Sequence, residues 1–167
     1  MVTTEMNGAA GDAVESRTLA AIRRFLLGAL LVGVAGMGTE LLLIGHVEGL
    51  LQLTPVLLLA LGLAAAGWHA WRARAASVRV LQTTMVLFVI SGLAGVILHY
   101  RGNAEFELEM YPTLGGVQLV RETLTGATPV LAPGSMTLLG LVGLVQTYRH
   151  PRLRPPGAAY STEEATR

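Results

Sequence analysis

The stretch RRFLLGALLVGVAGMGTELLLI, residues 23–44, decides the fold. Two arginines abut an apolar run over 25–44 that carries a single ionisable residue, Glu40. A helix of about 20 residues rises about 30 Å, the hydrocarbon thickness of a bilayer. The run therefore reads as a membrane span. A cleaved signal peptide is the competing reading, because basic residues precede the run and Val34-Ala35-Gly36 offers small residues. The long polar leader and the apolar continuation past Glu40 favour the span.

Outward from this stretch the pattern repeats. Runs at about 50–71 and 80–100 are of the same kind, and a fourth runs at about 128–148 with Pro129 and Pro133 in its first turns. Proline is tolerated there because the first helical amides have no intrahelical partner. Were that helix to begin only at Gly134 it would be short, and a tilted or re-entrant segment would follow. Composition agrees: 52% of residues are hydrophobic and 14% charged, against about 25% charged in a soluble domain. The expected fold is an all-α integral membrane protein, a four-transmembrane-helix bundle over residues 19–150. Residues 1–18 and 151–167 are read as disordered cytoplasmic ends.

Sidedness follows from the arginines. Arg17, Arg23, Arg24, Arg72, Arg74, Arg79, Arg149, Arg152 and Arg154 fall on one side of these spans, and only Arg101 and Arg121 on the other. The positive-inside rule then places both termini in the cytoplasm. Trp68, Trp71 and Tyr148 mark the inner boundary and Tyr100 the outer one, as an aromatic belt does. All 12 basic residues are arginine, and with abundant Ala, Gly and Leu this points to a GC-rich bacterial genome. The expected location is the bacterial cytoplasmic (inner) membrane, multi-pass.

Two connections face outward. The first, Gly45-His46-Val47-Glu48-Gly49, is tight. The second, 101–127, opens with Glu105-Phe106-Glu107-Leu108-Glu109-Met110, whose period of two places three carboxylates on one side if the segment is extended. Leu114, Val117, Val120 and Leu124 then recur at helical spacing. That predicts a short interfacial helix at about 114–125, between spans three and four, lying on the outer leaflet.

Chemistry-bearing residues are few. The chain has no cysteine, which excludes disulfides, thiolate metal sites and thiol nucleophiles. A net charge of +1 gives no nucleic-acid footprint, and no phosphate loop or GxSxG nucleophile motif occurs. Small residues allow membrane helices to approach closely, so Gly33, Gly36, Gly92, Gly95, Gly140 and Gly143 are the expected packing positions. Glu40 and His99 continue two of these stripes, which turns them toward neighbouring helices. A carboxylate at the hydrocarbon edge calls for a partner; His46, His99 and Arg101 are the candidates.

Imidazole with carboxylate suits several divalent metals, so Glu40, His46, His99, Glu105 and Glu109 are the candidate ligands of a divalent metal ion at the outer face. Glu48 and Glu107 stand beside them. Their reading as solvated or packing groups competes, since no metal motif joins them. On the inner side, His69 continues a Gly62-Ala66 stripe between two tryptophans and is read as a snorkelling ring, while His150 precedes Pro151. A bis-histidine haem is the alternative for this pair.

Three functions are compatible. The leading one is a non-catalytic accessory or scaffold-like protein whose outward Glu/His cap contacts a partner or a cation. The others are a small homodimeric transporter using Glu40 as its coupling carboxylate, and a membrane metal- or haem-binding redox protein. Expected partners are the lipid bilayer and a homo-oligomer or larger membrane complex.

Overall fold

A computed structural model describes residues 2–126 and 128–153, and among these all regular structure is helical. Five α-helices follow in order: α1 Val2–Leu43, α2 Leu50–Trp71, α3 Ala75–Met110, α4 Gly116–Thr125 and α5 Gly134–Thr147, with a 3-10 turn at Pro151–Leu153. Three of them are long and apolar enough to cross a membrane, namely α1 from Ser16, α2 and α3. At most 28% of the apolar window of any of the three is buried inside the protein. A soluble chain does not leave contiguous apolar surface of that extent in water, so these are helices of a membrane protein.

The helices end where the sequence supplies a reason. α1 closes in a Schellman motif: His46 N–H donates to Leu41 O at 2.9 Å and Gly45 N–H to Leu42 O at 3.2 Å, with Gly45 at φ 66°. Glycine adopts that left-handed backbone without a Cβ penalty. α2 and α3 are joined by Arg72-Ala73-Arg74 alone, and the Arg74 N–H donates to Ser77 Oγ at 3.0 Å to satisfy one free amide of the new helix. α3 stops at Tyr111, which takes φ −135° and ψ 80°; Pro112 crowds the helical conformation of the residue before it. Pro55 lies in the second turn of α2, and the Thr54 hydroxyl donates to the nearby Leu50 carbonyl at 2.7 Å.

Packing runs in a ring: α1 against α2, α2 against α3, α3 against α5 and α5 back against α1, while α4 rests on α3 alone. Leu30 and Val34 of α1, Leu59 and Ala66 of α2, Leu81, Met85 and Phe88 of α3 and Met136 of α5 meet at its centre. Glycines set the spacing. The Phe88 ring lies over Gly62, Leu139 over Gly33, Pro133 over Gly95, Thr137 and Pro133 over Gly92, and Met85 over Gly140 and Gly143. Gly36 has open space around it instead.

Three segments differ from the sequence expectation. α1 reaches back to Val2 through the leader read as disordered, whose Ala, Glu and Met are good helix formers. α3 continues through 105–110, so the acidic alternation is helical and not extended. At 100° per residue, Glu105 and Glu109 share a face and Glu107 points away from them. α5 begins at Gly134, not near 128, and its 14 residues are short for a span. Ahead of it the backbone makes i→i+3 bonds, Ala132 N to Pro129 O, Gly134 N to Leu131 O and Ser135 N to Ala132 O. Pro129 and Pro133 withhold the amides an α-helix would use there. Of the tail, Pro151–Leu153 forms the 3-10 turn, and 154–167 lies outside the described residues.

Candidate functional site

Polar side chains gather at the two ends of the helix ring. At the arginine-rich end, His69 of α2, Ser77 of α3 and Gln146 and Thr147 of α5 are all buried. Ser77 Oγ receives the Arg74 N–H and lies 2.9 Å from Arg72 O and 3.0 Å from Arg74 O. Its one proton goes to a carbonyl, so the 3.3 Å contact with His69 Nδ1 requires His69 to donate. His69 Nε2 is then an acceptor and takes the Gln146 amide N–H at 3.3 Å. The buried Gln146 Oε1 has no hydrogen-bond partner. His69 is therefore an interior, doubly hydrogen-bonded ring and not a snorkelling one.

Two neighbours complete this end. The Arg23 guanidinium of α1 donates to Tyr148 O at 2.9 Å, Gln146 O at 3.4 Å and Arg149 O at 3.5 Å. A cation on the terminal carbonyls of α5 stabilises that helix end. His150 stands edge-on to His69 with ring centroids 5.2 Å apart, and its Nδ1 accepts the Arg152 N–H at 3.2 Å. Burial holds the His150 pKa below its usual value, and His69, Arg23 and Arg152 push it further the same way.

That direction fixes a pH dependence. The released, solvated imidazole takes up its proton near pH 6.5, while the docked ring takes it up only at lower pH. The docked arrangement is thus fully stabilised above about pH 6.5 and weakens as pH falls toward the docked pKa. Thermal unfolding in detergent between pH 7.5 and 5 is expected to show a midpoint that falls with pH. His150→Gln should flatten that fall; a variant keeping the full slope would assign it to another group.

The opposite end carries the residues singled out for metal binding, and they stand apart. Glu40 is exposed on α1 and makes no ion pair among the described residues. His46 is half-buried beyond the Schellman turn. His99 donates from Nδ1 to Pro129 O at 3.1 Å, tying α3 to the segment ahead of α5. Glu105 and Glu109 are exposed on the far part of α3. Among the described residues no three His, Asp or Glu side chains come together in a way that would hold a metal ion.

What this end does build is a cap, and its key residue carries no sequence signal strong enough to have been singled out. Asn103, buried on α3, donates through Nδ2 to Thr123 O at 3.0 Å and Thr128 O at 2.7 Å. Its Oδ1 accepts the Thr128 N–H at 3.3 Å. One amide thereby fastens the end of α4 to α3. An asparagine inside a helix is mildly unfavourable, and that was its only trace in the sequence. Between α3 and α4 opens a cleft of about 450 Å³ lined by Glu107, Tyr111, Thr113, Leu114, Gln118 and Glu122. Two carboxylates, a phenol and an amide make it rich in hydrogen-bond acceptors. Val117, Val120 and Leu124 stay exposed on α4.

Comparison with known protein families, characterised proteins and solved structures gives no match.

Proposed function

We propose that this chain is a small polytopic protein of the bacterial cytoplasmic membrane that acts as a non-catalytic accessory or scaffold. Its glutamate-rich cap faces outward and both termini lie in the cytoplasm. The observation that carries this reading is the Asn103 anchorage of α4. α3 has 36 residues where about 20 cross a bilayer, so its far end projects and holds α4 by buried hydrogen bonds. A projecting segment fixed in this way is a built surface, and the Glu107 and Glu122 cleft suits a protein partner that offers cationic side chains. A partner is favoured over a bound cation because Glu40, His46, His99, Glu105 and Glu109 do not converge.

In this reading the bundle has four crossings. The 14 residues of α5 rise about 21 Å. The i→i+3 turns ahead of them add about 10 Å, which together matches the hydrocarbon. α4 lies along the outer leaflet, with Val117, Val120 and Leu124 toward lipid.

The absence of cysteine makes the topology directly testable. Gln118→Cys is expected to react with a membrane-impermeant maleimide in intact cells, and Ala76→Cys only after the membrane is opened. A photo-crosslinker at Gln118 should give a discrete protein adduct that Glu107→Gln with Glu122→Gln weakens. Adducts to lipid alone, or an adduct indifferent to both substitutions, would overturn the proposal.

A further inference from the structure

At the arginine-rich end two guanidinium groups rest on aromatic rings. Arg72 lies 4.4 Å from the Trp71 ring centroid at the end of α2, and Arg149 lies 5.6 Å from that of Tyr148 just past α5. All four side chains are exposed. The His69–His150 contact at 5.2 Å brings these two helix ends side by side, so both pairs belong to one rim.

Among the described side chains no carboxylate answers the charge on this rim. Arg24, Arg74, Arg79 and Arg152 join Arg72 and Arg149 there, while Arg23 is committed to the carbonyls that end α5. Among the described residues none of these arginines forms an ion pair. The carboxylates with described side chains, Glu40, Glu48, Glu105, Glu107, Glu109 and Glu122, lie at the other end. Tryptophan and tyrosine sit by preference at the headgroup level, and a stacked guanidinium keeps its in-plane N–H groups free for a phosphate.

We infer that this rim is a binding surface for anionic glycerophospholipid, with phosphate held against Arg72 on Trp71 and Arg149 on Tyr148. The inference needs only that the helices sit in a bilayer, and does not depend on the role of the glutamate-rich cap. Each juxtamembrane arginine contributes about fivefold to affinity for anionic lipid, so removing both seats costs about 25-fold. An aromatic ring that aims the guanidinium adds a requirement that bulk charge does not have.

The full chain in detergent is titrated with phosphatidylglycerol or phosphatidylcholine and read by native mass spectrometry and thermal midpoint. Retained phosphatidylglycerol and a raised midpoint are expected, with phosphatidylcholine giving neither. Arg72→Gln with Arg149→Gln should lose most of the bound lipid and its stabilisation while keeping the lipid-free midpoint, since both side chains are exposed. Trp71→Leu should lose part of it with every charge intact. Arg101→Gln with Arg121→Gln, at the far end, should retain it. Equal binding of the two lipids, or a double variant that binds as well as the unaltered chain, would overturn the inference. So would equal losses from changes at either end. Stabilisation by inorganic phosphate equal to that by phosphatidylglycerol would identify a phosphate site and also overturn it.

Discussion

Gly140→Leu is expected to separate α5 from α3 and to produce one of the largest stability losses of any single substitution in the chain. A Cβ on Gly140 would stand 2.7 Å from the Met85 carbonyl oxygen and 3.0 Å from the Val89 amide nitrogen. Both are backbone atoms of a helix, so no rotamer change relieves the clash. The helices must move apart, and Leu30, Met85 and Met136 lose contact with their neighbours. Overpacking of a filled core costs about 1–3 kcal/mol, and occasionally more. The upper end applies here because the obstruction is main chain. Lipid returns little for the lost packing, since it is as apolar as the side chains it replaces. Gly28→Leu is the control: nothing lies within 4 Å of its added Cβ, and it should stay within about 0.5 kcal/mol of the unaltered chain. Unfolding titrations in mixed micelles distinguish the two. Equal losses at both positions would mean that close approach at Gly140 does not hold the bundle.

Much of this fold was legible because membrane spans are written in long, redundant runs. The α2 boundaries and the α4 position follow from apolar length and helical period, within two residues of the structure. The far end of α3 was not. Six residues of Glu–apolar alternation fit a strand as well as a helix when taken alone. The chain decides otherwise because α3 is already formed at Tyr100. Adding a turn to an existing helix gains a hydrogen bond for each residue fixed, whereas a strand there would need a partner. The late start of α5 was latent in Pro129 and Pro133, whose missing amides permit turns better than an α-helix.

The sites were less legible than the fold, and for a different reason. His69 falls on an apolar stripe whether it is buried or snorkelling; only Ser77 and Gln146, 8 and 77 residues away, distinguish the two. Asn103 has its partners 20 and 25 residues away, across a proline, three glycines and a helix. Nothing local announces such a contact. Glu40, by contrast, attracted attention as the one charge inside an apolar run, and the ring of helices leaves it exposed.

Substitutions at Asn103 are expected to release α4 while leaving the helix ring intact. Asn103→Ala removes three hydrogen bonds at a site 5% exposed, stranding the Thr123 and Thr128 carbonyls and the Thr128 amide. The buried Thr123 carbonyl, left without this donor, costs about 1–3 kcal/mol, more than a single short helix resting on α3 alone recovers elsewhere. Hydrogen exchange at 116–125 should therefore rise to near-unprotected rates, with α2 and α3 before Tyr100 unchanged. Asn103→Asp is the sharper variant, because it keeps the shape that fits beneath Gly126, where an added Cβ would lie 2.8 Å from Asn103 Nδ2. Its carboxylate still accepts the Thr128 amide but turns an oxygen toward two carbonyls that need a donor. At neutral pH it should release α4 as alanine does. Burial beside two carbonyls favours the protonated acid, which regains one O–H donor. Protection of α4, corrected for the intrinsic exchange rate, should then return as pH falls. This is opposite in sign to the weakening expected at His150, so the two ends of one molecule respond to acid in opposite directions. An Asn103→Asp cap that stays equally open at every pH would show that shape, and not the donated hydrogen bonds, holds it shut.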